Sequence, residues 1–462
     1  MVMFTELPTE LIEPILSDSE LSFKTQHALL HSCRRLYWLL KPGVYRKIQL
    51  NFDDCTPEAI ERSSRRLVQL CRTLYRSSSA ASMVQELDIQ GSKPLSVLPQ
   101  LWSEVGYTDW LPRKKKWEGT FRWWKTQLVK GNPDVLVAVI ISVVRNMRVL
   151  RLGFDIWSRS PFLSVVLEFP KNLQYVEFLA PSPRAGWDWD AHTDIFKCTN
   201  APVRYDMKQL RALLNLPQIR NLTCVVAEIG GILARSFKDI SCTDMKRMVF
   251  AKSELQQKSL GQVLRATPLL KELIYDNWIN VNTPEILPCY FESDQMDTAL
   301  WRLRRELRTL HISVTFYSHR GTNVARGTHW GINGTIQSLV RFSQLTELKI
   351  PMVILLGWQA SGSQIRLNNV LPFSLQRLIL RVDEFDGFES YDWTRADIMD
   401  RVWTFINHVR IDNMKRLRYN RRPWDLRVVE LELPDLSSPD DLDVQNGLVS
   451  ECLEAGIDIV IK

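Results

Sequence analysis

Leu345-Thr346-Glu347-Leu348-Lys349-Ile350 is the clearest copy of a six-residue pattern that recurs along this chain. Apolar residues hold its first, fourth and sixth positions. Leu348 and Ile350 flank Lys349, so in an extended chain both apolar side chains fall on one face. The stretch before it, residues 332–342, is amphipathic, and the local order is therefore helix-like segment, then short strand. Copies follow at 84–89, 147–152, 173–178, 219–224, 245–250, 270–275, 307–312, 375–380 and 426–431.

At 45% hydrophobic content, three fixed apolar positions match by chance in roughly 9% of windows. Context raises the signal. Amphipathic stretches precede several copies: 255–266 before Leu270, 296–306 before Leu307, and the face formed by Ile398, Val402, Phe405, Ile406 and Val409 before the last full copy. A strand-plus-helix unit of about 25 to 45 residues cannot bury its own apolar face, so the units must stack. The expected fold is α/β: over residues 51–462, an irregular leucine-rich-repeat solenoid with parallel strands on one side and helices on the other. Uneven spacing and the general lack of an asparagine after each strand make it irregular.

Two stretches break the alternation, near 98–130 and 181–205. The first carries Trp102, Trp110, Trp117, Trp123 and Trp124 around Arg113-Lys114-Lys115-Lys116, and the second carries Trp187-Asp188-Trp189-Asp190. Both read as inserted loops, where stacked repeats often bind. Trp117, Trp123, Trp124, Trp187 and Trp189 are the candidate target-binding residues. At the C-terminal end, Asp435, Asp440, Asp441 and Asp443 read as an acidic loop before a last strand over 457–461.

Composition narrows the function. A net charge of +7 over 462 residues is mild and does not point to nucleic acid. The longest apolar run, 135–144, is interrupted by Ser142 and falls short of a membrane span, so no membrane partner is expected. Eight dispersed cysteines without a Cys-x-x-Cys pair suit core-filling thiols in a reducing compartment. With no signal-like N-terminus, the expected location is cytoplasmic and/or nuclear, and the sequons at Asn221 and Asn333 are read as unused. Nucleotide-binding, hydrolase and zinc-protease motifs are missing. His27 and His31 lie four apart without a third ligand, and Asp188 with Asp190 fits loop packing better than acid–base chemistry. The sequence therefore implies no enzyme, no cofactor and no metal.

The N-terminal segment, residues 1–50, reads as a small all-helical unit. Leu11, Ile12, Ile15 and Leu16 line one helical face, while Leu29, Cys33, Leu36 and Leu40 line a second that should end at Lys41-Pro42-Gly43. Leu7-Pro8-x-Glu10-Leu11-Ile12-x-x-Ile15-Leu16, then Leu30-x-x-Cys33-Arg34-Arg35-Leu36 and Val44-Tyr45-Arg46, resemble the F-box, most closely that of fungal F-box proteins followed by degenerate leucine-rich repeats. Pro14 departs from that pattern. The resemblance implies that Leu7, Pro8, Leu11, Ile12, Ile15 and Leu16, with Leu30, Cys33 and Leu36, meet or support an SKP-family adaptor, and through it a cullin. The repeats would then hold an unknown target protein for ubiquitin transfer. The alternative is a leucine-rich-repeat scaffold without a ligase role, its N-terminal helices a simple cap and its basic insertion a contact for nucleic acid.

Overall fold

Each six-residue motif ends in a parallel β-strand. The structure, a computed structural model, describes residues 23–52, 56–90, 124, 126–127, 133–153, 166–167, 169–178, 187–190, 195–198, 207–226, 240–280, 289–319, 330–361, 363–381, 391–419, 423–432 and 439–462. The fold is mixed α/β with mostly parallel strands, divided into two compact units. The first comprises Met1–Pro181 with Lys208–Ile219, and the second Ser182–Met207 with Arg220–Lys462.

The first unit begins with α1 (Phe23–Ser32) and α2 (Arg34–Arg46), which lead into β1 (Lys47–Asn51). Helix α3 (Pro57–Arg76) starts where its sequence says it should. The Thr56 hydroxyl accepts the Ala59 N–H, Pro57 occupies the first turn, and Glu58 faces the positive end of the helix dipole. Leu67, Cys71 and Leu74 give it a buried face. Helix α4 (Ser78–Met83) and strand β2 (Glu86–Gln90) follow. Helix α5 (Pro133–Val143) is apolar on all sides and residues 135–141 are all buried, as the apolar run predicts. Strands β3 (Val149–Leu152) and β4 (Tyr175–Phe178) continue the sheet, and α6 (Met207–Leu214) completes the described elements. Register runs in step, with Ile48 beside Leu87, Leu87 beside Leu150 and Leu150 beside Val176.

The second unit holds a hairpin, β5 (Trp187–Asp190) and β6 (Ile195–Cys198), then β7 (Asn221–Cys224) and β8 (Arg247–Ser253). Next come α7 (Gln257–Ala266), β9 (Glu272–Asn280), β10 (Cys289–Glu292), α8 (Ser293–Leu300) and β11 (Thr309–His319). Strands β12 (Trp330–Asn333) and β13 (Glu347–Pro351) precede the short helices α9 (Met352–Leu356) and α10 (Leu367–Val370). Strand β14 (Arg377–Arg381), α11 (Arg395–Arg418), β15 (Val428–Glu432), α12 (Pro439–Ala455) and β16 (Asp458–Ile461) close it. Its main sheet runs β7-β8-β9-β11-β13-β14-β15-β16, every neighbouring pair parallel.

The motif explains this register. Its fourth residue lies beside the fourth residue of the next copy: Leu222, Met248, Leu273, Leu310, Leu348, Leu378 and Val429 form one buried row. The first residues, Met245 through Leu426, form a second buried row in the turn before each strand. Between these rows one carbonyl per copy accepts two N–H groups of the next. Lys246 and Arg247 donate to the Arg220 carbonyl, Lys271 and Glu272 to Lys246, and Thr346 and Glu347 to Arg308, at 2.7–3.0 Å. Turn polarity is thereby satisfied by stacking, which a lone copy cannot do.

Four expectations are corrected. The second N-terminal helix runs through Pro42 to Arg46 instead of ending there; the bond Pro42 cannot make is the one to the carbonyl of Trp38, on the solvent side, where its loss costs least. The Trp187–Asp190 stretch is an antiparallel hairpin with Ile195–Cys198 and not a loop, and its second strand extends the far end of β11, Phe196 beside Tyr317. The acidic C-terminal loop is for the most part helix α12: Pro439 enters its first turn and Asp440 and Asp441 sit at its positive end. Residues 332–342 are not an amphipathic helix but strand β12 and a 3-10 turn, Ser338–Arg341. Gly334 separates them at φ +73°, and a Cβ there would lie 2.5 Å from Asp294 Oδ1.

Candidate functional site

Cys33 divides α1 from α2. Its backbone is extended, and its Sγ accepts the Leu36 N–H at 3.4 Å, capping α2. From this start the helical period turns Leu36 (2% exposed) and Leu40 inward against Leu29, Leu39 and Val44. The same period turns Tyr37 and Trp38 outward, 38% and 55% exposed. The two rings meet edge to face at 5.4 Å, and the Lys41 ammonium lies 5.2 Å from each ring centre. Arg34 and Arg35 are exposed beside them. The face that α2 offers to solvent thus carries Arg34, Arg35, Tyr37 and Trp38, while Lys41, held against the two rings, is itself buried.

The residues expected to meet an adaptor divide by position. Cys33 is half-buried and acts as a cap, Leu36 is core, Leu30 lies in α1 at a place where its side chain is not described, and Leu7, Pro8, Leu11, Ile12, Ile15 and Leu16 lie outside the described residues. Tyr37 and Trp38 went unread as contact residues; Trp38 takes the helical position opposite Leu36 and Leu40, and Tyr37 borders their stripe. Of the candidate target-binding tryptophans, Trp117 and Trp123 lie outside the described residues, Trp187 and Trp189 are placed by backbone in β5, and Trp124 is 2% exposed, its ring packed inside.

The second candidate surface is the half-exposed face of the parallel strands. In the second unit, Arg247 meets Glu272 at 2.7 Å, His311 meets Glu347 at 3.1 Å, and Lys349 and Arg381 both reach Glu432, at 2.6 and 3.2 Å. Glu430, buried among them, takes Arg377 at 2.9 Å and Lys462. Those two hydrogen bonds, Lys462 first, hold its carboxyl below the usual carboxylate range against the opposing effect of burial. In the first unit Arg151 plays the same part, 3.1 Å from Glu177 and over the Tyr175 ring. Charges at strand positions that alternate with the buried row are satisfied across neighbouring strands.

In the second unit this face carries an aromatic place at Trp278. Asp276 accepts the Lys252 N–H at 3.0 Å, the Ser313 hydroxyl at 2.9 Å and the Trp278 indole at 3.1 Å, while the Lys252 ammonium lies 5.3 Å from the Trp278 ring centre. Lys252 has φ +47° beside the irregularity between β8 and β9, and desolvation lowers its pKa although Asp276 opposes this. Behind it, buried Asn277 donates to the carbonyls of Ser253 and Leu255 at 3.0 and 3.2 Å and receives Gln257 at 3.1 Å.

Buried thiols fit the core-filling expectation: burial pushes Cys71 up to about 12 and Cys452 up to about 11, and raises Cys224 further. Among the described residues no group of three His, Cys, Asp or Glu could hold a metal ion, and no helix is long and apolar enough to cross a membrane. No family model matches the chain, and no curated protein matches it.

Proposed function

We propose that this chain is the substrate-recognition subunit of an SKP–cullin–F-box ubiquitin ligase. Its N-terminal helices are an F-box that docks on the adaptor, and its strands and helices are an irregular leucine-rich-repeat solenoid that holds a target protein. The chain performs no covalent chemistry of its own; it raises the effective concentration of the target beside a charged ubiquitin carrier. Cytoplasm and nucleus are the compartments where such a complex would act.

Support comes first from one observation: the in-step register of motif residues across consecutive parallel strands, with a shared carbonyl between copies. Helices that, among the described residues, bury few side chains and leave Tyr37 and Trp38 outside are consistent with a docking role. A second reading, a repeat scaffold whose N-terminal helices only cap the stack, draws on the burial of Leu36, which belongs to the inside of the element.

Co-purification of the full chain with an SKP-family adaptor separates the two. The ligase reading expects a stoichiometric complex that is lost in the Leu7→Asp, Ile15→Asp variant while the circular dichroism of the repeats is kept. A well-folded wild-type chain that captures no adaptor leaves the scaffold.

A further inference from the structure

Among the described strands, β16 has a neighbour on one side only. The Asp458 N–H donates to the Arg427 carbonyl at 2.8 Å and the Lys462 N–H to the Leu431 carbonyl at 2.9 Å. In a parallel strand alternate residues bond the same neighbour, so Asp458, Val460 and Lys462 are turned to β15 and the backbone groups of Ile459 and Ile461 point the other way. Among the described residues no strand takes them. The middle of the strand is apolar as well: Val460 is 41% exposed and Ile459 and Ile461 are half-buried. It has no proline and no bulge, and what blunts it is its short length and the charges of Asp458 and Lys462 at its two ends.

We propose that this edge pairs antiparallel with the same edge of a second copy of the chain. The segment Asp458-Ile459-Val460-Ile461-Lys462 is self-complementary about Val460. A two-fold axis there sets Val460 against Val460, Ile459 against Ile461, and Asp458 against Lys462 of the second copy. The register agrees with the backbone. In an antiparallel pair, residues that exchange both hydrogen bonds stand opposite each other, and Ile459 and Ile461 are the two with outward groups. Asp458 and Lys462 then fall in the pairs without backbone bonds, where side chains approach most closely, and the symmetry makes the ion pair twice. Centring the axis on Ile459 keeps the bonding parity but sets Asp458 against Val460 and loses both ion pairs. Lys462 already meets Glu430, yet its side chain is 59% exposed and can serve both carboxylates.

Sedimentation of the full chain from about 1 to about 100 µM tests this. The expected result is a monomer–dimer equilibrium that Asp458→Lys weakens about tenfold, by turning two attractive pairs into two repulsive ones. Asp458→Lys combined with Lys462→Asp restores the opposite charges and should recover the dimer. Ile461→Pro removes an outward N–H and none of the bonds to β15, so it should abolish the dimer and keep the far-ultraviolet spectrum. A chain that stays monomeric throughout, or a dimer indifferent to Asp458→Lys and to Ile461→Pro, overturns the proposal. The inference is independent of the ligase reading, since it concerns β16 alone.

Discussion

The α1–α2 element and the main sheet of the second unit are both built on leucines, yet they bury them differently. In the sheet, each copy from β7 to β15 adds a wholly buried fourth-position residue and hands a carbonyl to the next, so every part is completed by a neighbour of the same kind. Among the described residues of α1–α2, Leu36 and Leu40 form a small buried cluster, and the rings of Tyr37 and Trp38 stay outside. A stack satisfies itself along its length, whereas a short helical pair has fewer neighbours of its own kind to bury its apolar surface.

The sharpest way to break this contrast is to cut both cores. Leu348→Ala should cost about 2–5 kcal/mol in chemical denaturation, because Leu348 lies in the wholly buried row between β11 and β14. Leu36→Ala should fall at or below the low end of that range. Equal losses would mean that α1–α2 is as tightly integrated as the sheet. Glycines extend the comparison. Gly334→Ala should destabilise by about 1–3 kcal/mol, since it combines positive φ with a clash on Asp294. Gly43→Ala, inside α2 with nothing within 4 Å of a new Cβ, should be stabilising by about 0.5–1 kcal/mol. Thermal melts of the two variants moving in the same direction would contradict this.

Acid probes the charged face. The Glu430 carboxyl titrates below its ordinary value in the folded chain, so its contribution is complete above the unfolded carboxylate range and is lost as pH falls through the folded value. Stability should therefore fall on acidification from about pH 6 to about pH 3, more steeply in the wild type than in Glu430→Gln. Parallel profiles would show that this ion-pair cluster adds little. The smallest expected change in stability is that of Trp38→Ala, within about 0.5 kcal/mol of the wild type because the ring is largely in solvent. Its adaptor affinity should nevertheless drop at least about tenfold if the ring is an anchor, which a binding titration reads directly.

Strands were legible where spacing and burial coincide. The pattern Leu345-x-x-Leu348-x-Ile350 names the three residues that the structure buries, and the helical face of Ile398, Val402, Phe405, Ile406 and Val409 is the buried face of α11. What stayed hidden depends on contacts remote in sequence. Strand β6 forms because the end of β11 projects beyond β13, and nothing in Ile195-Phe196-Lys197-Cys198 announces that. The turn after Asn333 is held by the carboxylates of Asp294 and Asp297, some forty positions away. Helix α12 was concealed by its own acidic start, since aspartates favour both loops and helix N-termini. For α1–α2, the apolar stripe located the helix but drew attention to its inside, while the exposure of Trp38 on the opposite side follows only once the buried side is known.

Hydrogen–deuterium exchange of the full chain, alone and with an SKP-family adaptor, tests the central contrast most directly. The account expects new protection in residues 7–16 and in α1–α2, with exchange in β7 through β16 unchanged. Protection gained only in the strands, or nowhere despite a well-folded chain, would contradict it.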